Sequence, residues 1–140
     1  MSWAETAMRR LDEAGYSRGA ARHEVIDLLA GEPCAVTALE IDRRLDSVGR
    51  ASVYRTLDQL DRLHLVQRVQ IGGDAAGYER VDPAQHHHHL VCEECGRLTP
   101  FASDELEVAI ERISSSADFE VAAHDVVLRG TCAACVASHA

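Results

Sequence analysis

His86-His87-His88-His89-Leu90-Val91-Cys92-Glu93-Glu94-Cys95-Gly96 runs four histidines into a short apolar strand and a Cys-x-x-Cys knuckle. A second knuckle, Cys132-Ala133-Ala134-Cys135, follows after 36 intervening residues. A two-residue gap lets both thiolates of a knuckle face one ion, and Gly96 permits the tight turn behind the first pair. Two such pairs close a tetrahedral shell with no open position. Cys92, Cys95, Cys132 and Cys135 are therefore the expected ligands of a structural Zn(II). A redox dithiol, disulfides or an iron–sulfur cluster are the other uses of these thiols, and the spacing favours zinc. The distance between knuckles has to be spanned, and the pattern over 103–115 predicts a helix that does so.

The histidines ahead of Cys92 are internal and run directly into the strand, so they are part of the fold. Alternate strand residues point to opposite faces. His86 and His88 thus face one way, His87 and His89 the other, and two ions can each take a pair. Glu107 on the helix and His124 on a strand expected over Phe119–Arg129 are completing ligands for the first pair. Asp104, Glu105 and Glu111 are equally acidic, so spacing alone does not select Glu107. For the second pair the candidates lie in the first half: Glu79 and Cys34. A lone Cys such as Cys34 is more often a small buried hydrophobe. His23, His64 and His139 read as surface or helix-end residues.

Working outward, Asp82-Pro83-Ala84-Gln85 reads as a linker, dividing the chain into residues 1–83 and 84–140. The first part is mainly helical, with apolar spacing over Trp3–Ala14, 19–30, 38–46 and 50–63. Gly31-Glu32-Pro33 stops the second helix, and Thr37-Ala38-Leu39-Glu40 is a capping box for the third. The turn Ser47-Val48-Gly49 then joins two helices in the helix-turn-helix arrangement. On the 50–63 helix, Val53, Leu57, Leu60 and Leu63 form the inner face. Arg50, Ser52, Arg55, Thr56, Gln59 and Arg62 lie on the others, as side chains able to reach phosphates and base edges. An alternating strand over 65–71, a tip at Gly72-Gly73-Asp74 and a return through Gly77–Val81 complete a winged helix. The second part adds strands at 90–92 and 97–101, so the expected class is α+β.

Composition is less helpful. The 140 residues carry 14 Arg, no Lys and 23 acids, a formal charge of −9. Residues 1–83 hold 11 Arg against 14 acids and residues 84–140 hold 3 against 9. An acidic chain is not the usual electrostatic picture of a DNA binder, so the case rests on where the arginines sit. No apolar run approaches the roughly 20 residues needed to span a bilayer, and no signal peptide is visible, so a cytoplasmic protein without membrane contact is expected.

The winged helix with Ala51-Ser52-Val53-Tyr54-Arg55-Thr56-Leu57, the His86–Gly96 block and the terminal Cys132-x-x-Cys135 together resemble the ferric uptake regulator family of metal-responsive transcriptional regulators. The resemblance runs from about residue 6 to 135. It implies an N-terminal winged helix-turn-helix domain, a small α/β dimerisation domain, a homodimer, and metal-dependent repression from double-stranded operator DNA. It places the four cysteines at the structural zinc site and His86, His88, Glu107 and His124 at a site within the dimerisation domain. His87 and His89 fall at the hinge sensory site, Glu79 at the wing carboxylate, and Tyr54 and Arg55 in the helix that enters the major groove.

The chain departs from the pattern at Pro100, where the iron-sensing branch often has a carboxylate, and at Ala35, where that branch has a histidine. Val81 stands where the zinc-sensing branch has a wing cysteine. If Cys34 fills the gap, a thiolate with two histidines favours zinc over iron(II), with nickel and manganese as further regulatory metals. No enzymatic activity or small-molecule substrate is expected. A zinc hydrolase would need Glu79 or Glu107 as its base, and neither His-Glu-x-x-His nor a deaminase pattern is present. A metal-storage protein or metallochaperone would use the same ligands but leave the winged helix unexplained.

Overall fold

The computed structural model describes residues 1–72, 75–82 and 85–139. The chain forms two compact units, residues 1–83 and 84–140.

In the first unit, α1 (Trp3–Glu13), α2 (Ala20–Gly31), β1 (Val36–Thr37), α3 (Ala38–Arg44), α4 (Arg50–Arg62), β2 (Val66–Gly72) and β3 (Ala75–Arg80) follow in order. The core is where their apolar spacings meet. Ala7 and Leu11 of α1, Val25, Ile26 and Leu29 of α2, Ile41 of α3, and Val53, Leu57 and Leu60 of α4 are all buried. Each fully buried leucine stabilises the unit by about 1.5–3 kcal/mol relative to exposure, so α4 is fixed by the side opposite Tyr54 and Arg55. Ser2 and Glu5 form a reciprocal capping box at the start of α1, and the Thr37 hydroxyl accepts from the Glu40 N–H at 3.1 Å to start α3. Past α4 the chain reverses through His64 in the left-handed region, φ 56°, and enters the wing.

The wing sheet has the order β1-β3-β2, with β3 antiparallel to both neighbours. β1 was not legible in the sequence, because two residues become a strand only when β3 pairs with them. Gly77 lies opposite Thr37, and a Cβ there would come within 3.0 Å of both the Ala35 Cβ and Ile71 Cδ1. That close approach is what the glycine permits. At the expected tip, Gly73 and Asp74 lie outside the described residues, as do Pro83 and Ala84 of the expected linker.

The second unit contains β4 (His88–Cys92), β5 (Leu98–Phe101), α5 (Asp104–Ser116), β6 (Val127–Gly130) and α6 (Ala133–Ser138). Its sheet has the order β5-β4-β6, with β4 antiparallel to β5 and parallel to β6. The Ser103 hydroxyl caps α5 by accepting from the Leu106 N–H at 3.2 Å. Two expectations are corrected. The strand expected over Phe119–Arg129 is confined to Val127–Gly130, and residues 119–126 are irregular. The alternation of Phe119 and Val121 does not mark a buried face, since both are exposed. The segment 133–138, expected only to carry a cysteine, is helical. No residue of α5 is buried, so this unit has little apolar core. A fold of this size relies on a staple.

Candidate metal centres and nucleic-acid interface

β4 delivers Cys92, the turn after it delivers Cys95, and the start of α6 delivers Cys132 and Cys135. All four sulfurs lie within 4.8 Å of one another. The Cys92–Cys135 and Cys95–Cys132 Sγ separations are both 3.8 Å. A tetrahedron with Zn–S bonds of about 2.3 Å has edges of about 3.8 Å, so the group fits zinc without rearrangement. All five cysteines are free thiols, and no disulfide competes for these sulfurs.

The acid–base behaviour of the cluster follows from its crowding. The backbone N–H groups of Cys95 and Cys132, directed at the Cys92 sulfur, bring its pKa down to about 6. The Cys135 N–H lowers Cys132 in the same way. Cys135 is pushed up, first by the Cys132 sulfur beside it and then by burial. Two thiolates are thus favoured, and their charge resists a further one. A dication among them supplies the missing counter-charge and allows all four to ionise.

A second group assembles around Glu107 of α5. His86 Nε2 is 3.0 Å and His88 Nε2 2.7 Å from Glu107 Oε1, while His124 Nε2 is 2.6 Å from Oε2. His86 and His124 approach at 3.2 Å between their Nε2 atoms. Hydrogen bonds from His88, then His124 and His86, hold the Glu107 carboxyl down to about 2, so the carboxylate stays charged at any working pH. Asp104, Glu105 and Glu111 are not in the group, which settles the ambiguity that spacing left. His124 reaches it from the irregular segment before β6, not from a strand. The Val126 N–H points at His88 Nδ1, at 3.1 Å, and so places the ring proton on Nε2. Ligation through Nε2 requires the other tautomer and the loss of that contact.

The remaining histidines, His87 and His89, form their own pair, with ring centroids 4.9 Å apart at 70°. His87 Nδ1–H donates to the Gln85 carbonyl at 2.8 Å, which leaves Nε2 with its lone pair as a ligand atom. His89 is fully buried. The other two hinge candidates belong to the first unit. Glu79 is buried on β3 and accepts from the Gln67 amide, and Cys34 is half-buried in the loop after α2.

On α4, Tyr54 is 46% exposed and Arg55 is exposed. Arg50 is exposed but paired with Asp42 at 3.0 Å. Ser52 and Gln59 are half-buried. Thr56 departs from expectation: it is buried, and its hydroxyl donates to the Ser52 carbonyl at 2.9 Å. It packs the helix and does not face a groove. Sequence reasoning also missed the Arg68 guanidinium, 5.7 Å from the centre of the Tyr78 ring on the wing. Its place follows from the cross-strand pairing of Arg68 with Tyr78, which no local pattern within β2 announces.

A winged helix joined to a unit that gathers thiolates and imidazoles around two cation-sized centres defines a metal-responsive transcriptional regulator. Residues 13–129 match the model of the ferric uptake regulator family, and the chain belongs to that family. It is 35% identical over 85 residues to the ferric uptake regulation protein of Haemophilus influenzae, an alignment covering 61% of this chain and 58% of that protein. The chain thus matches less than two thirds of that relative's length. The crystal structure of the Vibrio cholerae ferric uptake regulator superposes with a TM-score of 0.79 at 29% identity, over 89% of this chain and 98% of that one. The ferric uptake regulator from Pseudomonas aeruginosa with manganese superposes at 0.75 with 26% identity, over 91% and 98%.

Proposed function

We propose that the chain is a metal-dependent repressor that binds double-stranded operator DNA as a homodimer, controls metal-uptake or stress genes, and has no enzymatic activity. What carries the reading is the meeting of four sulfurs at zinc spacing in a protein whose other unit is a winged helix. Cys92, Cys95, Cys132 and Cys135 hold structural zinc. His86, His88, Glu107 and His124 hold a second ion. His87 and His89, with Glu79 and Cys34, hold the regulatory one, which is zinc or iron(II), with nickel or manganese as further options. Manganese in the Pseudomonas aeruginosa relative supports a divalent ion in such a role.

Self-association is supported by the apolar surface of the second unit. Ile113 and Phe119 are each 67% exposed, and Val108, Leu128 and Val136 of the same unit are exposed as well. Large apolar side chains left in water in a unit this small are what a second copy would cover. Among the described residues no helix is long and apolar enough to cross a membrane.

The mechanism is a population shift. Metal at the regulatory site favours the conformer whose two recognition helices reach successive major grooves, about 34 Å apart. An ion that bound every conformer equally would switch nothing. The test is a mobility shift with protein whose structural zinc is retained while the regulatory metal is added or removed. Metal should be required for the shift. Arg55→Ala should weaken binding about 5- to 150-fold, the cost of about 1–3 kcal/mol for a lost base contact. His89→Ala should abolish the metal requirement or the binding. Unchanged DNA binding after removal of the regulatory metal would rule the sensor out.

A further inference from the structure

Glu79 lies on β3, the central strand of the wing sheet, and is only 4% exposed. A carboxylate taken out of water is costly unless other groups satisfy it. The two sides of β3 meet it with different chemistry. On one side β1 pairs Val36 with Tyr78, which brings the preceding loop alongside, and Cys34 Sγ lies within 4.8 Å of a Glu79 carboxylate oxygen. On the other side β2 sets Gln67 directly opposite Glu79. There the Gln67 side-chain N–H donates to Glu79 Oε1.

The kind of donor decides what this contact can do. A lysine or arginine opposite Glu79 would satisfy the carboxylate by pairing with it, and a metal ion would then have to displace that charge. Glutamine engages one oxygen and brings no positive charge. The carboxylate cannot turn about its last torsion without giving up the bond, so Oε2 is held in one direction. Strand alternation places Gln67 and Glu79 on one face of the hairpin and the neighbouring pair, Arg68 and Tyr78, on the other. Gln67 is thus turned toward the side of the wing that carries the ligand candidate.

We propose that Gln67 is a positioning residue of the regulatory metal site, holding the Glu79 carboxylate in the orientation in which it takes the ion. The proposal rests on the reading of Glu79 as a ligand and adds the residue that prepares it. Ligating carboxylates are themselves hydrogen-bonded, and losing such a partner typically weakens metal binding about 10- to 100-fold.

Competition for Zn(II) with a chromophoric chelator measures the effect. The full chain is used with its cysteine-bound zinc retained, and Glu107→Ala removes the second ion. Gln67→Met keeps the side-chain length and loses the donor, and should weaken Zn(II) binding about 10- to 100-fold. Gln67→Lys keeps a donor on the carboxylate, so its folding does not depend on the lost bond. It should weaken Zn(II) at least as much, because its charge occupies the carboxylate. A cycle with Glu79→Gln separates positioning from general damage to the wing. In that background Gln67→Met should change the affinity by less than about twofold.

Zn(II) affinity within about twofold of the wild type in both Gln67 variants, with Glu79→Gln weakened, would overturn the proposal and leave Glu79 a ligand. An equal loss from Gln67→Met with and without Glu79→Gln would show Gln67 acting on the fold and not through the carboxylate, which also overturns it. Wild-type affinity in Glu79→Gln alone would remove Glu79 from the ligand set, and the proposal would fall with that reading.

Discussion

Cys92→Ser is expected to strip the structural metal and melt the second unit while the first stays folded. Cys92 is the most enclosed of the four cysteines and ends β4, the strand that both others pair with. It is also the sulfur whose pKa falls to about 6 as the Cys95 and Cys132 N–H groups point at it. Losing it removes one ligand, one stabilised thiolate and the join between the knuckles. Structural zinc in small domains binds with apparent free energies of about 10–16 kcal/mol at neutral pH. That exceeds the stability a unit with so few buried apolar side chains can supply. Metal content should fall below one structural ion per chain, and amide hydrogen exchange should lose its protection over 88–130 while persisting through α1–α4. Retained zinc together with retained protection would show that the cysteines are not the staple.

The second large effect is expected from Arg22→Met. Arg22 ties the turn after α1 to the start of α2 through Asp12 and two carbonyls. Methionine fills the volume but takes the donor from both carbonyls and the cation from Asp12, at a partly buried place, which should cost about 1–3 kcal/mol. Trp3 is the only tryptophan, and its indole N–H donates to the Leu65 carbonyl at 2.9 Å. Its fluorescence therefore reports melting of this unit alone. A melting temperature within about 2 °C of the wild type would contradict the assignment.

Acid should show the same link. Arg18 first and Arg22 second hold the Asp12 carboxyl below its usual range. A depressed carboxyl stabilises the folded state above its unfolded pKa of about 3.9, and that contribution disappears as pH falls through the lower folded value. Asp12→Asn should flatten this acid limb of the stability curve.

Much of the architecture was legible because its signals are local. Cysteine spacing, the Val53-Leu57-Leu60 stripe and the alternation of β2 each carry their own periodicity. What escaped depended on partners distant in sequence. β1 exists only because Tyr78 and Gly77 lie across from it. The burial of Thr56 follows from its bond to the Ser52 carbonyl and from packing, which an outward-facing count does not anticipate. Nothing in the local pattern singles out Arg22, whose partner Asp12 lies ten residues earlier. The choice of Glu107 among four acids likewise required α5 to be set against His86, His88 and His124.

β4 pairs with two strands that differ greatly in how soon they can arrive. β5 returns after five residues, whereas β6 arrives after 34. Closing the longer loop costs about 2 kcal/mol more in chain entropy, and parallel pairing across such a span is slow. The helical first unit, built mostly from neighbouring segments, does not wait for it. Biogenesis is then expected to be staged: a DNA reader forms early, while its metal-holding half remains open until an ion draws the two knuckles together. Chains made under zinc scarcity would linger with an unpaired strand edge, exposed to proteases. The supply of the structural ion would thereby govern how long the protein lasts, apart from any signal the regulatory ion conveys.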